Sequence, residues 1–201
     1  MKMNEDERRT YRKRARAESE RATGEAILDA GRRAFQSEPF DSVTLRRIAE
    51  ESGVTVQTVV RRFGSKEGLF QAFVERERPR ILAARESKPE AGVTAAIGKL
   101  VDHYEEDGDL ILNLVAQEHR LEAIDAIVAE GRETHRQWVE THCVHLLPTE
   151  DDHARELVRG AAIAATDLGT WKLLRRDLGH RRDDVVLIMS SLIAGIERSP
   201  I

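Results

Sequence analysis

The stretch TLRRIAEESGVTVQTVVRRFGSK, residues 44–66, reads as two short helices joined by a tight turn. Leu45, Ile48 and Ala49 recur at i, i+3 and i+4 and give the first helix one apolar face. Thr44 precedes that face and can cap it, because a threonine hydroxyl accepts one of the orphan N–H groups at a helix start. Gly53 follows the helix, and glycine reaches the left-handed backbone conformation at little steric cost. The second helix starts near Thr55. It turns Val59 and Phe63 inward and leaves Thr55, Val56, Gln57, Thr58, Val60, Arg61 and Arg62 largely outward. A small residue at Ala49, a turn glycine at Gly53 and an apolar plug at Val59 are the spacing of a helix-turn-helix. The outer face of its second helix can enter a DNA major groove. The same spacing also fits a packed helical hairpin with a solvated basic face, so the motif needs its context.

The context is long. The run from Ala26 to about Glu77 resembles the N-terminal domain of the TetR family of bacterial transcriptional regulators. The resemblance rests on Ile27-Leu28, Ala30, Ala34-Phe35, Phe40, Thr44, Ile48-Ala49, Gly53-Val54, Thr58, Phe63 and Ser65-Lys66-Glu67-Gly68-Leu69. One position departs. Where the family usually carries a tyrosine near the end of the recognition helix, this chain has Val60, followed by Arg61-Arg62. Arg61 or Arg62 is then the candidate for the backbone contact that the tyrosine makes.

Composition agrees with an all-helical chain. Proline is scarce, alternating strand patterns are absent, and Ala, Leu, Arg and Glu are abundant. The net charge of −4 hides an asymmetry. Residues 1–84 hold 18 Lys and Arg against 14 Asp and Glu, while residues 85–201 hold 14 against 22. A basic first part suits a polyanion and an acidic second part does not. Cys143 is the only cysteine. It permits no intramolecular disulfide, fits a reducing cytoplasm, and reads as a buried small hydrophobe. The first residues, MKMNEDERRTYRKRAR, have no apolar core and so are not a secretory signal. The most apolar run, Val185–Ile196, is too short to span a bilayer, which takes roughly 20 residues.

The chain divides into a basic arm (1–20), a helix-turn-helix domain (21–77) and a second helical domain (78–201). The arm, with Arg8, Arg9, Arg12, Lys13, Arg14 and Arg16 around Tyr11, reads as disordered or a frayed helix when free. It is either a solvated tail or a reach toward DNA phosphates. A scaffold helix follows from about Arg21 to Ser37, ended by Pro39. Ser65 caps the next helix, in which Pro79 marks an end or a kink. Residues 86–92 are a polar connection. Helices then follow over 93–106, 110 to about 120, 122–147, about 150–178 and 181–198, with Gly108 and Gly179 as punctuation.

Gln57 and Arg61 are the expected base readers, because Gln pairs bidentately with adenine and Arg with guanine. Thr44, Thr55, Thr58, Arg62 and Lys66 complete the expected DNA contacts, Lys66 at a helix N-terminus that favours phosphate. The remaining expectations come from the resemblance. It implies an N-terminal three-helix DNA-binding domain plus a C-terminal helical domain for ligand binding and dimerisation. A double-stranded operator, a second copy of the chain and a small apolar or amphipathic molecule would be the partners. Tyr104, Asn113, Gln117, His135, Trp138 and Thr166 are the expected ligand-lining residues. Ala161, Ala165, Leu168, Val185, Met189, Leu192 and Ile196 are the expected dimer contacts. Regulation without a ligand, or purely structural DNA binding, is the competing reading. His142 and His145 share a helical spacing, but the seven histidines form no compact metal motif. No nucleophile elbow, phosphate loop or dinucleotide fingerprint occurs, so no metal, cofactor or catalysis is expected.

Overall fold

A computed structural model describes residues 5–85, 92–148 and 151–198. Residues 1–4 of the arm, the connection at 86–91 and the helix start at residue 150 lie outside the described residues. The chain separates into two units, Met1–Glu77 and Arg78–Ile201. Among the described residues the secondary structure is helical throughout.

The first unit contains α1 (Glu5–Ser37), α2 (Leu45–Ser52), α3 (Val56–Phe63) and the start of α4 (Lys66–Arg85). Its core is aromatic. Phe35, Phe40, Phe70 and Phe73 meet with ring centroids 5.0–6.2 Å apart. Ile27, Ile48, Val59 and Leu69 close around them and are fully buried. The burial pattern on α1 is sharply divided. From Thr23 onward one face packs inward, whereas every residue from Arg9 to Ala22 is exposed. The described part of the arm continues α1, which starts at Glu5. The packed turns after Thr23 serve as a template, since extending an existing helix adds one hydrogen bond per residue with no new nucleation cost.

The second unit holds α5 (Val93–Val115), α6 (Glu122–His142), α7 (Asp152–Thr166), α8 (Leu168–Lys172) and α9 (Arg182–Glu197). Its core gathers Ile97, Leu100, Val101, Val139, Cys143, Ala162, Trp171, Val185, Met189 and Ile193. Burial pushes the Cys143 thiol up to about 11. The nucleophile is the thiolate, so the folded protein should resist a thiol-reactive dye at pH 7–8 and react only on unfolding. Labelling of the native protein at the rate of free cysteine would contradict this.

Four helix boundaries differ from expectation. Gly108 does not break a helix; α5 runs through it. Its missing side chain instead admits the Trp171 ring, which would lie 2.5 Å from a Cβ placed there. Pro79 neither ends nor bounds α4, which continues to Arg85. The flanking Arg78 and Arg80 are held by Glu130 and by Glu106 and Asp107, which offsets the lost backbone bond. The helix expected over 122–147 stops at His142, and Val144–Leu146 form a single 3₁₀ turn. The segment expected as one helix over 150–178 is interrupted at Asp167, whose backbone is extended. The Asp167 carboxylate accepts from the Gly169 N–H at 2.7 Å and starts α8. The wide turn Leu173–Asp177 then closes the segment.

Candidate nucleic-acid interface

The helix-turn-helix is built by three local devices. Thr44 Oγ1 accepts from the Arg47 N–H at 3.2 Å and fixes the start of α2. Thr55 Oγ1 accepts from the Thr58 N–H at 3.2 Å and fixes the start of α3. Between them Gly53 takes φ 70°, ψ 26° and donates its N–H to the last carbonyls of α2. The left-handed conformation is costly for a residue with a Cβ, so the turn between α2 and α3 depends on glycine. Val59 is fully buried at the junction and Phe63 is half-buried.

Seven residues were expected to meet DNA, and the structure divides them. Gln57 and Arg61 are exposed on α3 and have no intramolecular partner among the described residues. Thr55 and Thr58 pair their hydroxyls at 3.0 Å, so both are partly engaged in the cap. Thr44 is exposed and keeps a hydroxyl hydrogen to donate. Arg62 turns back to α1, where its guanidinium donates to the Glu20 carbonyl at 2.7 Å. It crosses α1 directly over Gly24, at a point where any Cβ would collide with it. Lys66 also turns inward. Its ammonium donates to the Phe40 carbonyl at 2.8 Å and lies 4.3 Å from the centre of the Phe40 ring. Arg62 and Lys66, two of the three residues (with Thr44) expected to position the DNA backbone, are thus bonded within the unit. Both partners are carbonyls more than 20 residues distant, which local spacing does not reveal.

The neighbouring cations are paired as well. Arg46 donates to Glu50 at 3.0 Å and Arg47 to Glu51 at 2.8 Å, each one helical turn along α2. Arg76 on α4 donates to Asp29 on α1 at 2.7 Å. Against this background Arg61 stands out. An arginine fork without a carboxylate is available to a phosphate or a guanine edge.

The family model described as "Bacterial regulatory proteins, tetR family" matches residues 27–73, the span of this helix-turn-helix and its scaffold. Residues 27–73 are thus a helix-turn-helix segment of the TetR family's type. Solved structures share the fold of the chain. A TetR-like transcriptional regulator from Rhodococcus sp. RHA1 is 18% identical with TM-score 0.67, covering 88% of this chain and 97% of that one. A TetR-family transcriptional regulator from Streptomyces coelicolor is 17% identical with TM-score 0.65, covering 89% and 91%. A transcriptional regulator from Aquifex aeolicus VF5 is 17% identical with TM-score 0.60, covering 87% and 98%. No curated protein sequence matches the chain.

The second unit brings four of the six expected ligand residues together. Tyr104 donates its hydroxyl to the Thr166 carbonyl at 3.2 Å. Thr166 Oγ1 lies 3.2 Å from His135 Nε2. The His135 and Trp138 rings stack at 6.0 Å, and His142 leans on Trp138 at 4.9 Å. Burial lowers the pKa of His142 below its ordinary value. Trp138 Nε1 is buried and has no hydrogen-bond partner among the described residues. Asn113 and Gln117 pair with each other instead, Gln117 Nε2 donating to the Asn113 carbonyl at 2.8 Å. Among the described residues no three His, Cys, Asp or Glu side chains converge on a metal position. Among the described residues no helix is long and apolar enough to cross a membrane.

The expected dimer contacts are divided too. Val185 and Met189 are 0% exposed within one chain and Ala165 is buried, so these three belong to the unit's own core. The reason is that α9 is buried along the 185–189–193 row, which packs with α5 and α7. Leu192 is 46% exposed, and Ala161, Leu168 and Ile196 are half-buried. Also exposed on α7 and α9 are Leu157 at 49% and Leu187 at 66%, with Gly160, Ala164 and Gly195.

Proposed function

We propose that the chain is a homodimeric transcriptional repressor that binds a near-palindromic operator and leaves it when a small molecule occupies the second unit. The observation that carries the DNA-binding part is the state of Gln57 and Arg61. They are the exposed, unpartnered polar side chains of the helix-turn-helix's second helix, among cations that are already paired. Gln57 and Arg61 read base edges in this proposal, and Thr44, Thr55 and Thr58 hold the phosphates. Arg62 and Lys66 act from within, one holding α3 to α1 and the other holding α4 to the turn before α2. The exposed basic residues of α1, Arg9, Arg12, Lys13, Arg14 and Arg16, add sequence-independent attraction.

The dimer reading rests on the open face of α7 and α9. Leu157, Leu187 and Leu192 stand exposed there beside small residues that allow a second pair of helices to approach. Two copies would present two reader helices about one helical turn apart on DNA. Ligand binding is supported by the Trp138 indole N–H. A buried donor without a partner costs free energy, and an acceptor on a bound molecule would recover it. The ligand would act by binding the DNA-free state more tightly, and DNA must then weaken the ligand by the same factor.

The test is salt-titrated binding of the full chain to DNA upstream of its own gene, against scrambled DNA of equal length. A two-half-site footprint with a steep salt slope is expected. Equal weak binding to both would count against the reading. Arg61→Ala should lose roughly 1–3 kcal/mol of preference at one base pair per half-site while leaving other positions unchanged. A uniform loss at all sequences would instead make Arg61 a phosphate contact.

A further inference from the structure

Alongside Gln57 and Arg61, α3 carries a second exposed row. Val56 is 40% exposed and Val60 is 42% exposed, at i and i+4 on the same helix. Both core-facing residues of this helix, Val59 and Phe63, are more deeply covered. Nothing in the first unit requires Val56 or Val60 to be apolar. A solvated recognition helix would gain solubility from polar residues at both positions, and β-branched residues weaken a helix slightly. The valines also stand next to the two side chains with free hydrogen-bonding groups, so a ligand that engages Gln57 and Arg61 must cover them.

We infer that Val56 and Val60 are specificity-determining residues that pack against the C5 methyl groups of thymines in the operator. The inference rests on the DNA-binding reading above and goes beyond it to the sequence recognised. In the major groove the thymine methyl is the one apolar group that a base pair presents, and small aliphatic side chains contact it. The geometry suits this. Four helical residues advance about 6 Å, close to two base steps at about 3.4 Å each. With α3 lying along the groove, the two valines meet methyls two base pairs apart, beside the edges read by Gln57 and Arg61. The operator half-site therefore carries thymine at two positions that no hydrogen-bonding side chain of α3 specifies. A thymine specified in this way differs from uracil only by the methyl, which gives a test free of other changes.

The full chain is used to select duplexes from a random library, and each thymine of the selected half-site is then replaced singly by deoxyuridine. Two positions should each lose about fourfold in affinity, the factor expected for one buried methyl group. In Val60→Ala one of those positions should become indifferent to the replacement, and in Val60→Thr, which keeps one methyl and the side chain's shape, the sensitivity should be partly retained. Both variants change an exposed position, and an unchanged melting temperature shows that the domain is intact. A selected site that binds equally well with uracil at every position overturns the inference and leaves the DNA-binding reading standing. Undiminished sensitivity at both positions in Val60→Ala also overturns the assignment. A library that yields no site overturns the DNA-binding reading and this inference with it.

Discussion

Asp107→Ala is expected to destabilise the second unit by about 3–5 kcal/mol, the usual cost of removing one partner from a buried ion pair. Asp107 is completely buried on α5. Its Oδ1 accepts from Arg80 Nη2 at 2.6 Å, and its Oδ2 lies 3.2 Å from Nδ1 of the equally buried His103. Truncation would leave the Arg80 guanidinium with Glu106 alone on one side and a cavity on the other, with His103 facing the same void. The melting temperature should fall by roughly 10 °C or more. The double variant Arg80→Met, Asp107→Leu should recover most of the loss, because exchanging a buried pair for apolar residues of similar size is often neutral. A fall of only a degree or two for Asp107→Ala would show that water or neighbouring groups replace the carboxylate. Any effect on the proposed ligand response should be measured separately, since Arg80 lies on α4, a helix that begins in the first unit at Lys66.

Trp171→Ala should cost a similar amount, about 3–5 kcal/mol, by emptying the centre of the same core. The indole is fully buried and packs 5.9 Å from the Tyr104 ring. Its Nε1 donates to Glu105 at 2.9 Å, and Glu105 also accepts from Arg175 Nε at 2.9 Å. Arg176 covers the outer face of the ring at 4.6 Å. Gly108→Ala attacks the same contact from the other side. Its new methyl meets ring carbons at 2.5 Å, and overpacking of this kind costs roughly 1–3 kcal/mol. The two sites must therefore couple. Gly108→Ala combined with Trp171→Leu should be less damaging than the sum of the single changes, because the smaller side chain leaves room for the methyl. Urea titration reads this directly, with Trp138 remaining as the fluorescent reporter. Strict additivity would mean that Gly108 and the ring do not share the space.

The helix-turn-helix was legible in the sequence because its determinants are local. Thr44, Gly53 and Thr55 act within four residues of themselves, through two caps and one left-handed turn. Gly108 was misread because a glycine in a helical pattern has two physical meanings, a break or a close approach. The second depends on Trp171, more than 60 residues away. Asp167 carried a readable signal that was missed, an acidic cap two residues before a glycine whose N–H it accepts. Position on the motif gives Arg62 and Lys66 as DNA contacts, and a long cation at such a position can also reach back to a carbonyl. Only tertiary structure decides between the two. The apolar circumference of α9 leads to an expectation of covering on more than one side, and within one chain the 185–189–193 row is the covered one. It did not distinguish the row packed in the chain's own core from the row left open, since both are aliphatic.

The unburied turns of α1 have an evolutionary consequence. Residues 9–22 contribute no side chain to the core, so their replacement is exempt from the stability threshold that constrains Phe35 or Ile48. Selection can add or remove a positive charge on this projecting helix one residue at a time without endangering the domain behind it. Each such change would alter the overall grip on a polyanion while leaving the choice of sequence with α3. On the proposed reading, strength and discrimination are inherited on separate stretches of the chain, and a lineage can tune one without relearning the other.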